Sequence, residues 1–235
     1  MPYLILSKRT GTGTSTLDAS ISSLLHLDSA TPTDNGNAPA TWTKGSSLST
    51  TGAGFFSGGY TYSGTTNTTG KVTTSGAAAP TASGIVKFEF RYFFASSDSN
   101  GPFGIKFGSI ANADDLNTGQ ANTWSFRHLS NGFDIYDNVT NFNVIPASSM
   151  VINTWYTVGF EVNMTTRAAT GYLNGIKKST VTVSTSKPTA GIVGIGLLTG
   201  AGGATNWKMD EFAYWNNGTT WGTSYTPSVN PYAVA

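Results

Sequence analysis

The chain has 235 residues, no cysteine, a formal net charge of +1 and only 11% charged side chains, against about 25% in an ordinary soluble domain. Without cysteine there is no disulfide staple, no thiolate metal site and no thiol nucleophile. Without a cationic surplus nothing can neutralise a row of phosphates, which excludes nucleic acid as a partner.

In chain order, residues 1–20 read as an N-terminal arm: a four-residue apolar run, Tyr3, Leu4, Ile5 and Leu6, then Lys8, Arg9 and a Gly/Thr/Ser linker. The run is too short, and the cations fall on the wrong side of it, for a secretory signal. No later window has the length of a membrane span. The expectation is a soluble protein made in a cytoplasm, with no membrane partner, that leaves by lysis or by assembly into something larger. Leu17 to Leu27 fits a helical face (Leu17, Ile21, Leu24, Leu25) and, in its second half, a strand equally well.

From Gly84 onward two-residue alternation dominates. Val86, Phe88, Phe90 and Tyr92 share one face of a long strand, with Lys87, Glu89 and Arg91 on the other. Thr123 to Asp137 reads as a hairpin through Asn131-Gly132, because Asn-Gly supplies the positive φ angles of a type I′ turn. Thr154 to Met164 sets Trp155, Thr157, Gly159, Glu161 and Asn163 opposite Tyr156, Val158, Phe160, Val162 and Met164. A second Asn-Gly hairpin follows at Asn174-Gly175, then the strand Gly191 to Thr199. About a dozen strands at this spacing predict a sandwich or jelly roll. The absence of a fixed period argues against a propeller or solenoid. Residues 217–235, with prolines and scattered aromatics, read as an extended C-terminal arm. Tyr225 and Tyr232, with Tyr3 to Leu6, are the candidates for docking an arm on a neighbouring subunit, and fraying is the alternative.

Three segments resemble the concanavalin A-like, laminin-G-like jelly roll. They are "SLLHLDS" (Ser23 to Ser29), "NTWYTVGFEVNMTTRAATGYLNGIKK" (Asn153 to Lys178) and "WKMDEFAYWN" (Trp207 to Asn216). Their order and spacing match one copy over about residues 23–216. The resemblance implies an all-β sandwich of two antiparallel sheets over residues 21–216, with extended terminal arms. Members of that family include sugar binders, glycosidases, adhesion modules and structural proteins of tailed-phage particles, so the fold leaves function open. A hydroxyl-rich, low-charge coat looks most like the phage group. The leading expectation is a structural or adhesion protein on the exterior of a virus particle, on head or tail. Its partners would be other virion subunits and further copies of itself. The alternative, from a different class, is a carbohydrate-binding module for cell-surface glycans, effective through avidity.

A divergent glycoside hydrolase is a distant third. That chemistry needs two carboxyls flanking one bond, and the glucanases resembled carry Glu-x-Asp-x-Glu. Here the three glutamates, Glu89, Glu161 and Glu211, fall outside that spacing. Asp210 and Glu211 are adjacent, so alternation sends them to opposite faces. A meeting of Glu89 with Glu161 across neighbouring strands is the surviving arrangement, and the expectation is no enzyme and no cofactor. Asp210, on the face of Phe212 and Tyr214, is expected inward, accepting backbone amides from a loop. Calcium between Asp28 and Asp210 is the sharper reading. His26 and His128 have no second ligand at metal spacing. Tyr60, Tyr62, Trp215 and Trp221 are the candidate glycan-stacking rings, since aromatic faces cover the apolar faces of sugars.

Overall fold

Alternation along the two longest strands sets the architecture. In the computed structural model, which describes residues 21–51, 53–56, 58–64, 70–74, 84–95, 103–108, 122–183, 188, 191–197 and 205–228, sixteen strands form two antiparallel sheets, and no helix occurs among the described residues. The first sheet holds β1 (Ser23–His26), β2 (Thr33–Asp34), β4 (Ser49–Thr51), β5 (Gly59–Gly64), β7 (Ile85–Phe94), β12 (Thr154–Asn163), β13 (Ala168–Leu173), β14 (Ile176–Thr182) and β16 (Thr205–Gly218). The second holds β3 (Trp42–Lys44), β6 (Lys71–Thr74), β8 (Phe103–Phe107), β9 (Trp124–Leu129), β10 (Gly132–Tyr136), β11 (Asn141–Ile145) and β15 (Ile192–Leu197).

The first sheet runs β14-β13-β12-β7-β16-β1-β2, with β5 and β4 continuing it beside the leading half of β16. The second runs β11-β10-β9-β8-β15-β6-β3. The all-β, two-sheet sandwich is as the alternation required. Of the stretch Leu17 to Leu27, the second half is a strand, since Ser23–His26 pairs with β16, and residues before 21 lie outside the described part.

The core is the inward row of β7 and β12 facing the second sheet. Phe88, Phe90, Val158 and Phe160 are wholly buried. Phe88 meets Phe126 edge-on at 4.8 Å, Phe160 meets Phe126 at 4.8 Å, and Tyr92 meets Phe103 at 4.6 Å between ring centroids. Each such ring removes on the order of 150–250 Å² from water, and the offset and edge-on geometries add to that burial. At the amino end, Asp34 ties β1 to the next strands. It accepts the Leu24, Gly36 and Ala40 amides and the Trp42 indole N–H at 2.8–3.1 Å.

The two Asn-Gly hairpins differ. Asn174 and Gly175 are the two turn residues, both at positive φ, as expected. In the other hairpin the turn is Ser130-Asn131, at φ 51° and 57°, and Gly132 opens β10 opposite Leu129. The reason is steric. A Cβ at Gly132 would lie 2.5 Å from the carbonyl oxygens of both Ile145 and Pro146, so the glycine admits the neighbouring chain instead of turning its own.

His128 is the exception inside the core. It points inward from β9 among Tyr92, Phe94 and Phe133, at 4.5–5.5 Å between ring centroids, and neither ring nitrogen has a hydrogen-bond partner among the described residues. Burial pushes its pKa from 6.5 down to about 3. The unfolded imidazole takes a proton near pH 6.5 and the folded one refuses it. Stability is therefore intact above pH 6.5 and drains away as pH falls toward 3. Replacing His128 with Phe should lower the slope of unfolding free energy against pH, below pH 6, by up to one proton, about 1.4 kcal/mol per pH unit. Urea unfolding at a series of pH values checks this; equal slopes in variant and parent would mean that the imidazole accepts its proton in the folded state.

Candidate functional site

The outward face of the first sheet carries the chemistry, and strand register arranges it in rungs. Reading across β12, β7 and β16, Trp155, Phe93 and Lys208 lie level, then Thr157, Arg91 and Asp210, then Gly159, Glu89 and Ala213, then Glu161, Lys87 and Trp215. The sequence expectation for Asp210 is corrected here. A bulge between Asp210 and Phe212, with Glu211 at φ 48°, shifts the register of β16. One added residue reverses which face follows. Asp210 thus lies opposite Arg91 on the outward side, while Met209 and Phe212 both face the core.

Two pieces of the chain cover most of this face. The first is the segment 53–56. Asp210 Oδ2 accepts the Phe56 amide at 2.8 Å, so the carboxylate does take amides from a crossing loop, but from outside the sandwich. Burial pushes the Asp210 carboxyl up, opposed by the amides of Phe56, Glu211 and Phe55 and by the Arg91 charge. Gly54 makes the close fit possible, since a Cβ there would sit 1.4 Å from the Gly58 carbonyl oxygen. Beside it, His26 Nδ1 and Glu211 Oε1 are 2.6 Å apart. Burial disfavours the His26 cation, yet the hydrogen bond and charge of Glu211, with Asp28 and Asp210 adding, leave its pKa raised.

The second cover is the stretch that follows β16. Glu161 accepts the Thr220 hydroxyl at 2.8 Å and the Trp221 amide at 2.6 Å. Trp221 and Tyr225 stack at 4.1 Å and lie over Gly159, where no side chain intervenes. Tyr172 donates to the Gly222 carbonyl, Ser224 bridges to Ile176, and Arg91 donates to the Ser228 carbonyl at 2.8 Å. Lys87 is held between the rings of Trp215 and Trp221, 5.4 and 5.1 Å from their centroids. In this structure Tyr225, a candidate for docking on a neighbour, rests on its own sheet. Tyr3, Leu4, Ile5, Leu6 and Tyr232 lie outside the described residues.

Most of the rings singled out from sequence are not available to a ligand. Tyr60 and Tyr62 are buried, because β5 joins the middle of the first sheet beside β16 and alternation turns both inward. Trp215 is buried beneath Trp221, which itself stays partly exposed. The two glutamates of the enzymatic reading share this face without meeting across a groove: Glu89 is buried in an ion pair with Arg91, and Glu161 holds the tail. Asp28 is exposed and Asp210 is engaged by the loop. Among the described residues no three His, Cys, Asp or Glu side chains come together as a metal site.

What is left open is the first rung. Trp155 and Phe93 are partly exposed, with ring centroids 5.5 Å apart. Phe55, carried by the covering segment, meets Trp155 edge-on at 5.9 Å. Lys208 Nζ lies 5.1 Å from the Phe93 ring centroid, and the same register continues to Thr61 and Ser49. Three rings, an ammonium and two hydroxyls from six separate pieces of chain thus form one aromatic corner. Sequence carried a partial signal: Trp155 and Phe93 interrupt otherwise polar or small-residue faces of alternating strands. Their adjacency depends on a register between strands about sixty residues apart, which sequence does not state.

If Asp210 seats the segment that carries Phe55, Asp210→Ala should cost about 2–3 kcal/mol of stability, from amides left unpaired in a buried place, and should speed amide exchange at Phe56. Urea unfolding and hydrogen exchange measure the two. Undiminished protection at Phe56 would show the segment held by other means.

No protein-family model matches the chain, and no curated protein matches it in sequence. Solved structures do match in shape. The binding domain of Paraclostridial Mosquitocidal Protein 1 superposes with a TM-score of 0.63 at 12% identity, over 86% of this chain and 50% of that one. The botulinum neurotoxin serotype D ligand binding domain, in complex with N-acetylneuraminic acid, gives 0.62 at 12% identity, over 87% and 49%. A structure of botulinum neurotoxin type C, described as entering cells dependent upon interaction with two ganglioside molecules, gives 0.60 at 17% identity, over 85% and 49%. The chain spans about half the length of each. None of these three descriptions is of a virion protein. At such identities the likeness establishes a shared fold: this chain is a β-sandwich of the shape found in receptor- and ligand-binding domains of these toxins.

Proposed function

We propose that the protein is a carbohydrate-binding adhesion module whose contact surface is the aromatic corner formed by Phe55, Phe93, Trp155 and Lys208. The observation that supports this most is the contrast on one sheet face. Three rungs are sealed by the chain's own loop and tail, and the fourth leaves ring faces beside hydrogen-bonding groups open to solvent. Flat rings accept the C–H face of a sugar, and neighbouring hydroxyl and ammonium groups orient its polar edge. The shape is shared with domains described in complex with N-acetylneuraminic acid or as dependent on gangliosides. Those chains are about twice as long, so the likeness supports the class of function and leaves the location of the site to this chain's own residues. The engagement of Glu89 and Glu161 within the fold favours binding over hydrolysis.

A corner of this size grips one sugar weakly, and display in several copies raises the effective affinity. A multimerised form of the protein should therefore light up a glycan array. Trp155→Ala should reduce the signal about tenfold or more, as loss of a central ring anchor does, with little loss of stability because the ring is partly exposed. A blank array, or a signal that follows Trp221 and ignores Trp155, would remove this reading of the corner.

A further inference from the structure

Resting on that reading, we infer that the ligand is an acidic sugar, its carboxylate taken by Lys208 where it rests on Phe93 while its apolar face lies on Trp155. The inference comes from charge. Only 11% of the side chains are charged, and on the rungs of β12, β7 and β16 the other cations, Arg91 and Lys87, have partners in the fold. Arg91 is buried in its pair with Glu89 and donates to Ser228. Lys87 is buried between two indoles.

Lys208 differs from both. It is partly exposed, and its contact in the described residues is the Phe93 ring, with no carboxylate within ion-pair distance there. A cation resting on an aromatic face keeps its outer donors free for an incoming anion. Beneath the corner, the Arg91 guanidinium lies 5.5 and 5.4 Å from the ring centroids of Phe55 and Phe56, but Glu89 and Asp210 beside it balance its charge within the fold, so Lys208 is the cation of this corner that reaches solvent. A neutral sugar would use the rings and leave the ammonium idle. A sugar bearing a carboxylate on its edge uses both.

The test pairs each acidic glycan with its neutralised twin. Sialylated and uronic-acid oligosaccharides, and the same compounds with carboxylates converted to methyl esters, are displayed on one array and measured with the parent protein, Lys208→Gln, Lys208→Arg and Trp155→Ala. The expected pattern is binding to acidic members that falls about tenfold on esterification or with Lys208→Gln, the loss expected for one charge-assisted hydrogen bond. Lys208→Arg should restore most of it, and rising salt should weaken it. Binding that ignores esterification and Lys208→Gln but is lost in Trp155→Ala would overturn the acidic-sugar inference and leave the adhesion module standing. Binding to no glycan in either form would overturn both.

Discussion

A single extra residue in the central strand organises this molecule. β16 lies in the middle of the first sheet, between β7 on one side and β1 and β5 on the other, and the bulge at Asp210-Glu211 divides it into halves of opposite parity. Without the bulge, one half would present Trp207 and Met209 to the core and the other would present Ala213 and Trp215, leaving Phe212 and Tyr214 in solvent. With it, all four of Trp207, Met209, Phe212 and Tyr214 are buried. The same step sends Asp210 outward, where it meets the covering segment, and strands Glu211 at positive φ against His26. Bulges re-aim side chains in this way and tend to lie beside working surfaces.

The outward face then behaves as a second, smaller core. Charged groups there could not be left dry and unpaired, so the chain supplies their partners itself. Arg91 is the tie: it pairs with Glu89, lies against the rings of Phe55 and Phe56, and donates to the carbonyl of Ser228. A fully buried ion pair seldom adds much net stability, since desolvation cancels most of its attraction. Its value here is positional, because one guanidinium fixes the loop cover and the tail cover relative to each other. Glu161 does the same for the start of the tail through a hydroxyl and an amide. Where the two covers stop, the first rung is exposed, and its rings owe their presentation to the groups that hold Phe55 in place.

Sequence made much of this legible. Alternation named the inward and outward faces of β7 and β12 residue by residue, and Asn174-Gly175 marked its turn. The failures share one cause, a local pattern overruled by a contact from far along the chain. Ser130-Asn131 turns in place of Asn131-Gly132 because Pro146 and Ile145 need the space above the glycine. Asp210 faces outward because a bulge is invisible to a period-two count. Tyr60 and Tyr62 look like loop residues and are core, since β5 was inserted beside β16. The aromatic corner was beyond reach for the same reason: Phe55, Phe93, Trp155 and Lys208 become neighbours only through register and a loop crossing.

The proposed function follows from which part of the sheet the chain leaves uncovered. Amide and side-chain chemical-shift mapping during titration with a bound glycan tests that most directly, because it reports contact without altering a residue. Perturbations should concentrate at residues 54–56, at Phe93 and Trp155, and at Lys208, with Thr61 and Ser49 at the margin. Perturbations gathered instead on the opposite sheet, around Arg127 and Tyr136, or along Trp221 and Tyr225 in the tail, would contradict the account.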